Sequence, residues 1–343
     1  MQTAQPLRST VISTWFVADS AADETFLPQV GTLSSATSAH AVYWRCIAVF
    51  FTSSVVMNPD ARHMFFTNTD VPVVDGLDIA ELFKRHNVEV VRLPITYRLP
   101  PGRVKAWGNQ FYVFDVIRYF AQTEPGERYI ILDSDCVWIK PVSAIEAAID
   151  RNGALTYTLG DDEYLPDADI NGITRAQMAA FLREHGGTEL ARVPYHGGEI
   201  YAATHATTEQ IYERACALWP ELLSGDNDAP REEAHLLSVI YAALGIPFET
   251  ANPFIRRMWT TFQHNNLTTT DQALSIWHLP AEKKTGFAEA FGALVQAGPN
   301  ADLARLRSLL TLGAYKSYFG FPRRRPTKLL ADLTLKVREK LVR

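Results

Sequence analysis

The chain predicts a mixed α/β fold: a mostly parallel central sheet covered by helices, with a helical C-terminal extension. Three observations carry this. Strand-like and helix-like segments alternate through the first half. The run "YIIL" at 129–132 is apolar throughout, as suits a central parallel strand covered on both faces. The 343 residues, 47% apolar and 21% charged, suit one sizeable soluble domain with an appendage, or two modest domains.

The elements follow in order. "TVISTWFVA" (10–18) reads as a strand, and "AHAVYWRCIAVFFTSSVV" (39–56) as a helix packed by its apolar residues. "HMFFTN" (63–68) is a second strand, "LDIAELFKRH" (77–86) a helix and "VEVVRLP" (88–94) a third strand. After a Pro/Gly-bearing loop comes the helix 107–122, with Val113, Val116, Ile117, Phe120 and Ala121 on one face. The central strand follows. Ser143 and Glu146 match a capping box for a short helix. "GDDEYLPDADING" in the 160s is an acidic loop, 192–204 a strand interrupted by glycine, and 207–223 and 231–244 helices. Sheet-like signals stop near 290, which divides the chain into 1–290 and a helical extension, 291–343.

The formal net charge of -5 argues against non-specific nucleic-acid binding. Residues 322–343 carry a local +6, leaving -11 elsewhere. The cysteines Cys46, Cys136 and Cys216 form no CxxC pair, which points to a reducing compartment and neither a disulfide framework nor a zinc cluster. No signal-peptide pattern opens the sequence, and the most apolar run, 47–57, is too short to span a bilayer. A cytoplasmic chain is expected.

"ILDSDCVWIKP" ends the apolar strand in two carboxylates, Asp133 and Asp135, one residue apart. In open α/β sheets ligands bind outside the carboxyl ends of the strands. Two acids so close repel one another unless a cation or proton intervenes. A hard divalent ion resolves the conflict and is often shared with substrate phosphates. A turn in which the acids cap backbone amides is the plainer alternative.

This stretch resembles the D-x-D motif of glycosyltransferases with the Rossmann-like GT-A fold. The resemblance implies a divalent metal and a sugar nucleotide at Asp133 and Asp135, with Ser134 between them on the donor side. "IWHLPAEKK" (276–284) is similar to the H-x-x-G-x-x-K motif of retaining transferases such as glycogenin and bacterial lipopolysaccharide galactosyltransferases, with Ala281 in place of the glycine. By that resemblance His278 is the third protein ligand to manganese and Lys284 contacts the diphosphate. An oxygen-rich site with one imidazole suits manganese better than magnesium. The implied activity is transfer of a hexose from a nucleotide sugar, a UDP-sugar first, to a hydroxyl acceptor on a glycan or lipid-linked molecule, with retention.

Further candidates are weaker in the sequence. "HGGE" at 196–199 lets a ligand approach the backbone closely or marks a bulge, and Glu199 is a candidate at the sugar. Glu232 and Glu233 open a helix, where the dipole alone favours acids; contact with the donor sugar or reacting centre is the functional alternative. Lys105 and Asn109 are candidates for donor sugar or phosphate, although a solvated lysine is the default. Asp19 after the first strand, and Thr67, Asn68 and Asp70 after the second, are candidates for base or ribose. The C-terminal segment places Leu329, Leu330, Leu333, Val337 and Leu341 at helical spacing beside a basic cluster. Such a helix lies on an anionic membrane surface, or packs on its own domain.

Two other functions compete. "ILDSDCV" also resembles the D-x-D-x-V strand of haloacid-dehalogenase-type phosphatases, which would make Asp133 a nucleophile. That motif normally opens its domain, whereas here more than 120 residues precede it. A non-catalytic nucleotide-sugar-binding protein is the third reading; an intact D-x-D speaks against it.

Overall fold

The computed structural model describes residues 9–123, 126–160, 165, 167–224, 229–245, 249–261, 263–322, 326, 328 and 330. Ten of its strands position the site: β1 (Thr10–Phe16), β2 (Arg62–Thr67), β3 (Val88–Arg92), β4 (Arg128–Leu132), β5 (Cys136–Trp138), β6 (Ala154–Leu159), β7 (Tyr195–Thr204), β8 (Glu249–Thr250), β9 (Ile255–Arg257) and β10 (Ile276–His278). Seven of them form one sheet in the order β8-β6-β7-β4-β1-β2-β3. Neighbouring strands are parallel except at β7, which is antiparallel to both β6 and β4. β9, β10 and β5 form a second sheet, in that order. The mostly parallel, helix-covered sheet expected from the sequence is therefore present.

The helices are α1 (Thr37–Met57), α2 (Ile79–Arg85), α3 (Val113–Thr123), α4 (Ser143–Asn152), α5 (Arg175–Glu184), α6 (His205–Ser224), α7 (Glu233–Leu244), α8 (Gly286–Ala297), α9 (Leu303–Leu309) and α10 (Leu312–Tyr318). By length and composition α1 is apolar enough to cross a membrane, yet 72% of its most apolar window is buried inside the protein. It is the core helix, packed against α8 and β5. Its Phe51 meets Phe65 and Phe83 edge-to-face. Its buried hydroxyls are tied down: Ser53 Oγ accepts from the Trp138 amide at 3.1 Å and Ser54 Oγ pairs with His63 Nε2 at 2.8 Å. These bonds offset the cost of burying polar groups.

Three expectations need correction. The helix expected from residue 107 begins at Val113, behind a 3₁₀ turn over Gln110–Tyr112. Trp107 has a φ of 51°, which lies outside the right-handed helical region. The capping box at Ser143 and Glu146 does not form: Val142 is the N-cap, and Glu146 accepts from Thr10 Oγ1 at 2.5 Å, a bond between helix and sheet. The division after residue 290 falls inside α8, whose Phe287, Phe291 and Leu294 are buried in the same core as the sheet. Most of the basic segment 322–343, and residues 161 and 162 of "GDD", lie outside the described residues.

Candidate functional site

A tight turn separates β4 from β5, and the two carboxylates sit on it. The Cys136 amide donates to the Asp133 carbonyl at 3.2 Å, and β5 then leaves the main sheet for the small one. There Cys136 pairs with His278 across the antiparallel β5/β10 ladder. The Leu279 amide donates to the Asp135 carbonyl at 3.0 Å. This pairing delivers the imidazole to the acids. His278 Nε2 lies 3.4 Å from Asp133 Oδ2 and 3.3 Å from Asp135 Oδ2. One ligand atom from each of the three residues falls within 4.8 Å of the others.

β7 brings a further acid. The Asp133 amide donates to the Glu199 carbonyl at 3.1 Å, which fixes Glu199 beside the turn. β9 pairs Arg257 with His278, so the guanidinium reaches across to Glu199 Oε1. His278 Nδ1 faces that same oxygen at 3.6 Å. The two glycines before Glu199 have a clear use: a Cβ on Gly197 would overlap Glu199 Oε2, and one on Gly198 would overlap Glu233 Oε1. The room they leave is taken by carboxylates of this chain.

Lys283, on the turn after β10, closes the arrangement. Its ammonium contacts Asp135 Oδ2 and lies 5.5 Å from the centre of the Tyr43 ring, and its side chain is 8% exposed. Burial alone would raise the Asp135 pKa, but Lys283 and His278 hold that carboxyl well below the usual range. Partial desolvation and the charge of Asp135 push Asp133 up to about 6. Burial lowers the His278 pKa, yet Asp135, Glu199 and Asp133 raise it to about 9 overall. Burial opposes the charge of Glu199 too, and Arg257 and His278 nevertheless bring it down to about 2. Burial, Glu232 and Asp133 together lift Glu233 well above the ordinary value, which favours its protonated form.

A cleft of about 320 Å³ opens over these groups, near the lower end of the roughly 300–1,000 Å³ of small-molecule sites. Its lining includes Trp15, Gln29, Tyr43, Trp107 and Asn109, and also Asn171, Tyr195, Glu232, Arg257 and Trp259. Glu232 accepts from Tyr195 Oη and from Asn171 Nδ2, each at 2.7 Å, and His235 Nε2 lies 3.1 Å from it.

The expected site residues divide. Asp133, Ser134, Asp135, His278, Glu199, Glu232, Glu233 and Asn109 all line the cleft. Asp19 stands behind it, accepting from Asn109 Nδ2 at 3.0 Å and from Arg98 Nη2 at 2.6 Å. Asn68 is spent on the backbone of Ala18, which it clamps through both amide atoms at 2.9 and 3.0 Å. Thr67 Oγ1 accepts from the Thr69 amide at 3.3 Å, and Asp70 pairs with Arg92 at the surface. The Lys105 side chain is exposed outside the lining. Lys284 donates to the Val30 carbonyl at 3.0 Å, and the neighbouring Lys283 is the lysine that meets the acids. Arg257, Lys283, Tyr43 and Trp107 were not marked in the sequence. The only local signal was the pairing of like residues in "RR" and "KK", which leaves open which member turns inward.

The donor set fits a divalent cation: two carboxylate oxygens and one imidazole nitrogen converge beside a cleft, with a carboxylate behind the imidazole. No protein-family model matches the chain, and no curated protein matches it. Among solved structures, the chain is similar to an active-site mutant of LgtC at 10% identity and a TM-score of 0.45, over 78% of this chain and 86% of that one.

Proposed function

We propose that this protein is a GT-A-type, metal-dependent glycosyltransferase that moves a sugar from a nucleotide sugar to a hydroxyl acceptor. The observation that carries the reading is the convergence of Asp133, Asp135 and His278 at the carboxyl end of β4, in the lining of a cleft. Asp133, Asp135 and His278 would hold the cation, manganese first by the donor set. A cation there supplies positive charge where a departing diphosphate becomes negative.

The protein's own groups divide the remaining work. The aromatic wall of Trp15, Tyr43 and Trp107 suits the base and ribose, with Asn109 held by Asp19. The hydrogen-bonded group of Asn171, Tyr195 and Glu232, with Trp259 also in the lining, suits sugar hydroxyls. Glu233, whose protonated form burial favours, is suited to donate a hydrogen bond to a sugar oxygen. Retention follows best from the state of the three glutamates. Glu199 is held by Arg257, Glu232 by Tyr195 and Asn171, and burial disfavours the charged form of Glu233, so none of the three is set as the free base that an inverting attack requires. A UDP-sugar donor, a hexose, a glycan or lipid-linked acceptor, and a cytoplasmic site of action complete the proposal.

Calorimetric titration with UDP and Mn2+ tests it. Metal-dependent UDP binding is expected, lost in Asp135→Ala and in the milder Asp133→Asn, whose side chain is half-exposed. UDP binding that ignores metal, or hydrolysis of p-nitrophenyl phosphate without a sugar nucleotide, would overturn the reading. Screening UDP-sugars for turnover, with the product's anomeric configuration read by NMR, settles donor and stereochemistry. Binding without turnover of any donor would favour the non-catalytic alternative.

A further inference from the structure

We propose that Lys283 is an internal counter-cation which fills the metal seat at Asp135 in the metal-free protein, so that an incoming dication must displace its ammonium. The inference rests on the reading of Asp133, Asp135 and His278 as a metal seat. The oxygen it concerns is Asp135 Oδ2. That atom is buried and faces two nitrogens, His278 Nε2 at 3.3 Å and the nearer Lys283 Nζ. The imidazole is itself a ligand of the seat, so the lysine is the extra cation.

A buried carboxylate needs a positive partner, and here the chain carries its own. Asp133 and Asp135 together bring two negative charges, and Glu199 is already matched by Arg257. Beyond the imidazole, the ammonium of Lys283 cancels a further unit of that negative charge at Asp135. A dication entering against that ammonium meets direct repulsion across a shared oxygen. The lysine has somewhere to go: its ammonium already lies 5.5 Å from the Tyr43 ring centre, and both side chains line the cleft. A cation over an aromatic face is held without a carboxylate. Metal affinity is thus set by an exchange of cations at Asp135, which keeps the two acids together when no metal is bound.

The test is a titration of the full chain with Mn2+ alone, followed by loss of the free-ion EPR signal, with folding checked by circular dichroism. Lys283→Met and Lys283→Gln both remove the charge and keep much of the stem. They are expected to bind Mn2+ about 10-fold tighter than wild type or better, because the competing charge is gone. Lys283→Arg keeps the charge and is expected to bind no tighter than wild type. A lysine with a merely structural role gives the opposite sign, since its loss would loosen the site; equal or weaker binding in both neutral variants overturns the proposal. Mn2+ binding by the neutral variants with none in wild type supports it in its strongest form. If neither wild type nor the neutral variants bind, the metal seat itself is refuted, and the exchange with it.

Discussion

Glu199 shows why burial and charge have to be weighed together before a residue is given a role. A carboxylate lining a cleft beside a candidate metal site invites a part in the chemistry, but Glu199 Oε1 is held by Arg257 and faces the Nδ1 side of His278, away from Asp133 and Asp135. On the metal reading proposed above it is a positioning residue, orienting the imidazole so that Nε2 points at the acids. Replacing it with Gln leaves a residue of the same shape and removes the charge behind the ring. The expected result is about 10- to 100-fold weaker Mn2+ binding with the fold retained, the range found for carboxylates behind metal-bound histidines. An unchanged Mn2+ affinity in Glu199→Gln would remove this role. At this scale the sequence was partly legible. Asp133 and Asp135 were readable because both sit at one strand end. His278 was readable through its motif. Lys283 was not, because the short 3₁₀ turn Pro280–Glu282 decides which of two adjacent lysines points inward. Arg257 was not either, since its role depends on pairing with a strand far along the chain.

At the scale of elements, β7 is the informative case. It is the one antiparallel member of the main sheet, inserted between β6 and β4, and its register slips between Thr156 and Tyr157 of β6. "HGGE" falls at this irregularity, so the reading of its glycines as a bulge holds, whereas the room expected for a ligand does not. What approaches is Glu199 and Glu233. Gly198→Ala would drive a methyl into Glu233 Oε1, the far end of a half-buried side chain at the start of α7. Because the displaced atom is the end of a flexible side chain, the cost falls at the low end of overpacking, about 1 kcal/mol. A thermal melt should show Tm lowered by a few degrees, and donor binding should weaken as the carboxyl is displaced. An unshifted melt with unchanged donor binding would mean the carboxyl has free space that the close approach denies. Strands and helices with strong periodicity were legible to within a few residues. The caps were not: Glu146 satisfied the local pattern, but Thr10 on β1 offered it a tertiary partner.

Over the whole molecule, the site exists because one chain builds two sheets and hands a strand from one to the other. β4 ends in the large sheet, β5 begins in the small one, and the turn between them carries the acids to the strand that bears His278. The alternation of strands and helices made the large sheet legible, whereas three-residue strands such as β5, β9 and β10 carry too little pattern to be paired from sequence. The same sheet sets a pH limit on the fold. His196 on β7 has its pKa lowered to about 4 by burial, with its ring against Tyr241 and Nδ1 3.4 Å from Thr158 Oγ1. Its folded pKa is below the unfolded value of about 6.5, so the neutral ring contributes stability that is complete above pH 6.5 and lost as pH falls toward 4. Allowing for the partial exposure of the ring, the loss comes to roughly 2 kcal/mol. Asp133, raised to about 6, works in the opposite direction over part of that range, so the effect has to be read as a difference between variants. Urea unfolding of wild type and His196→Gln at pH 7 and pH 4 isolates it. Wild type should lose roughly 2 kcal/mol more than the variant between the two pH values. Parallel losses in the two proteins would show that His196 takes up its proton as readily in the folded chain as in the unfolded one.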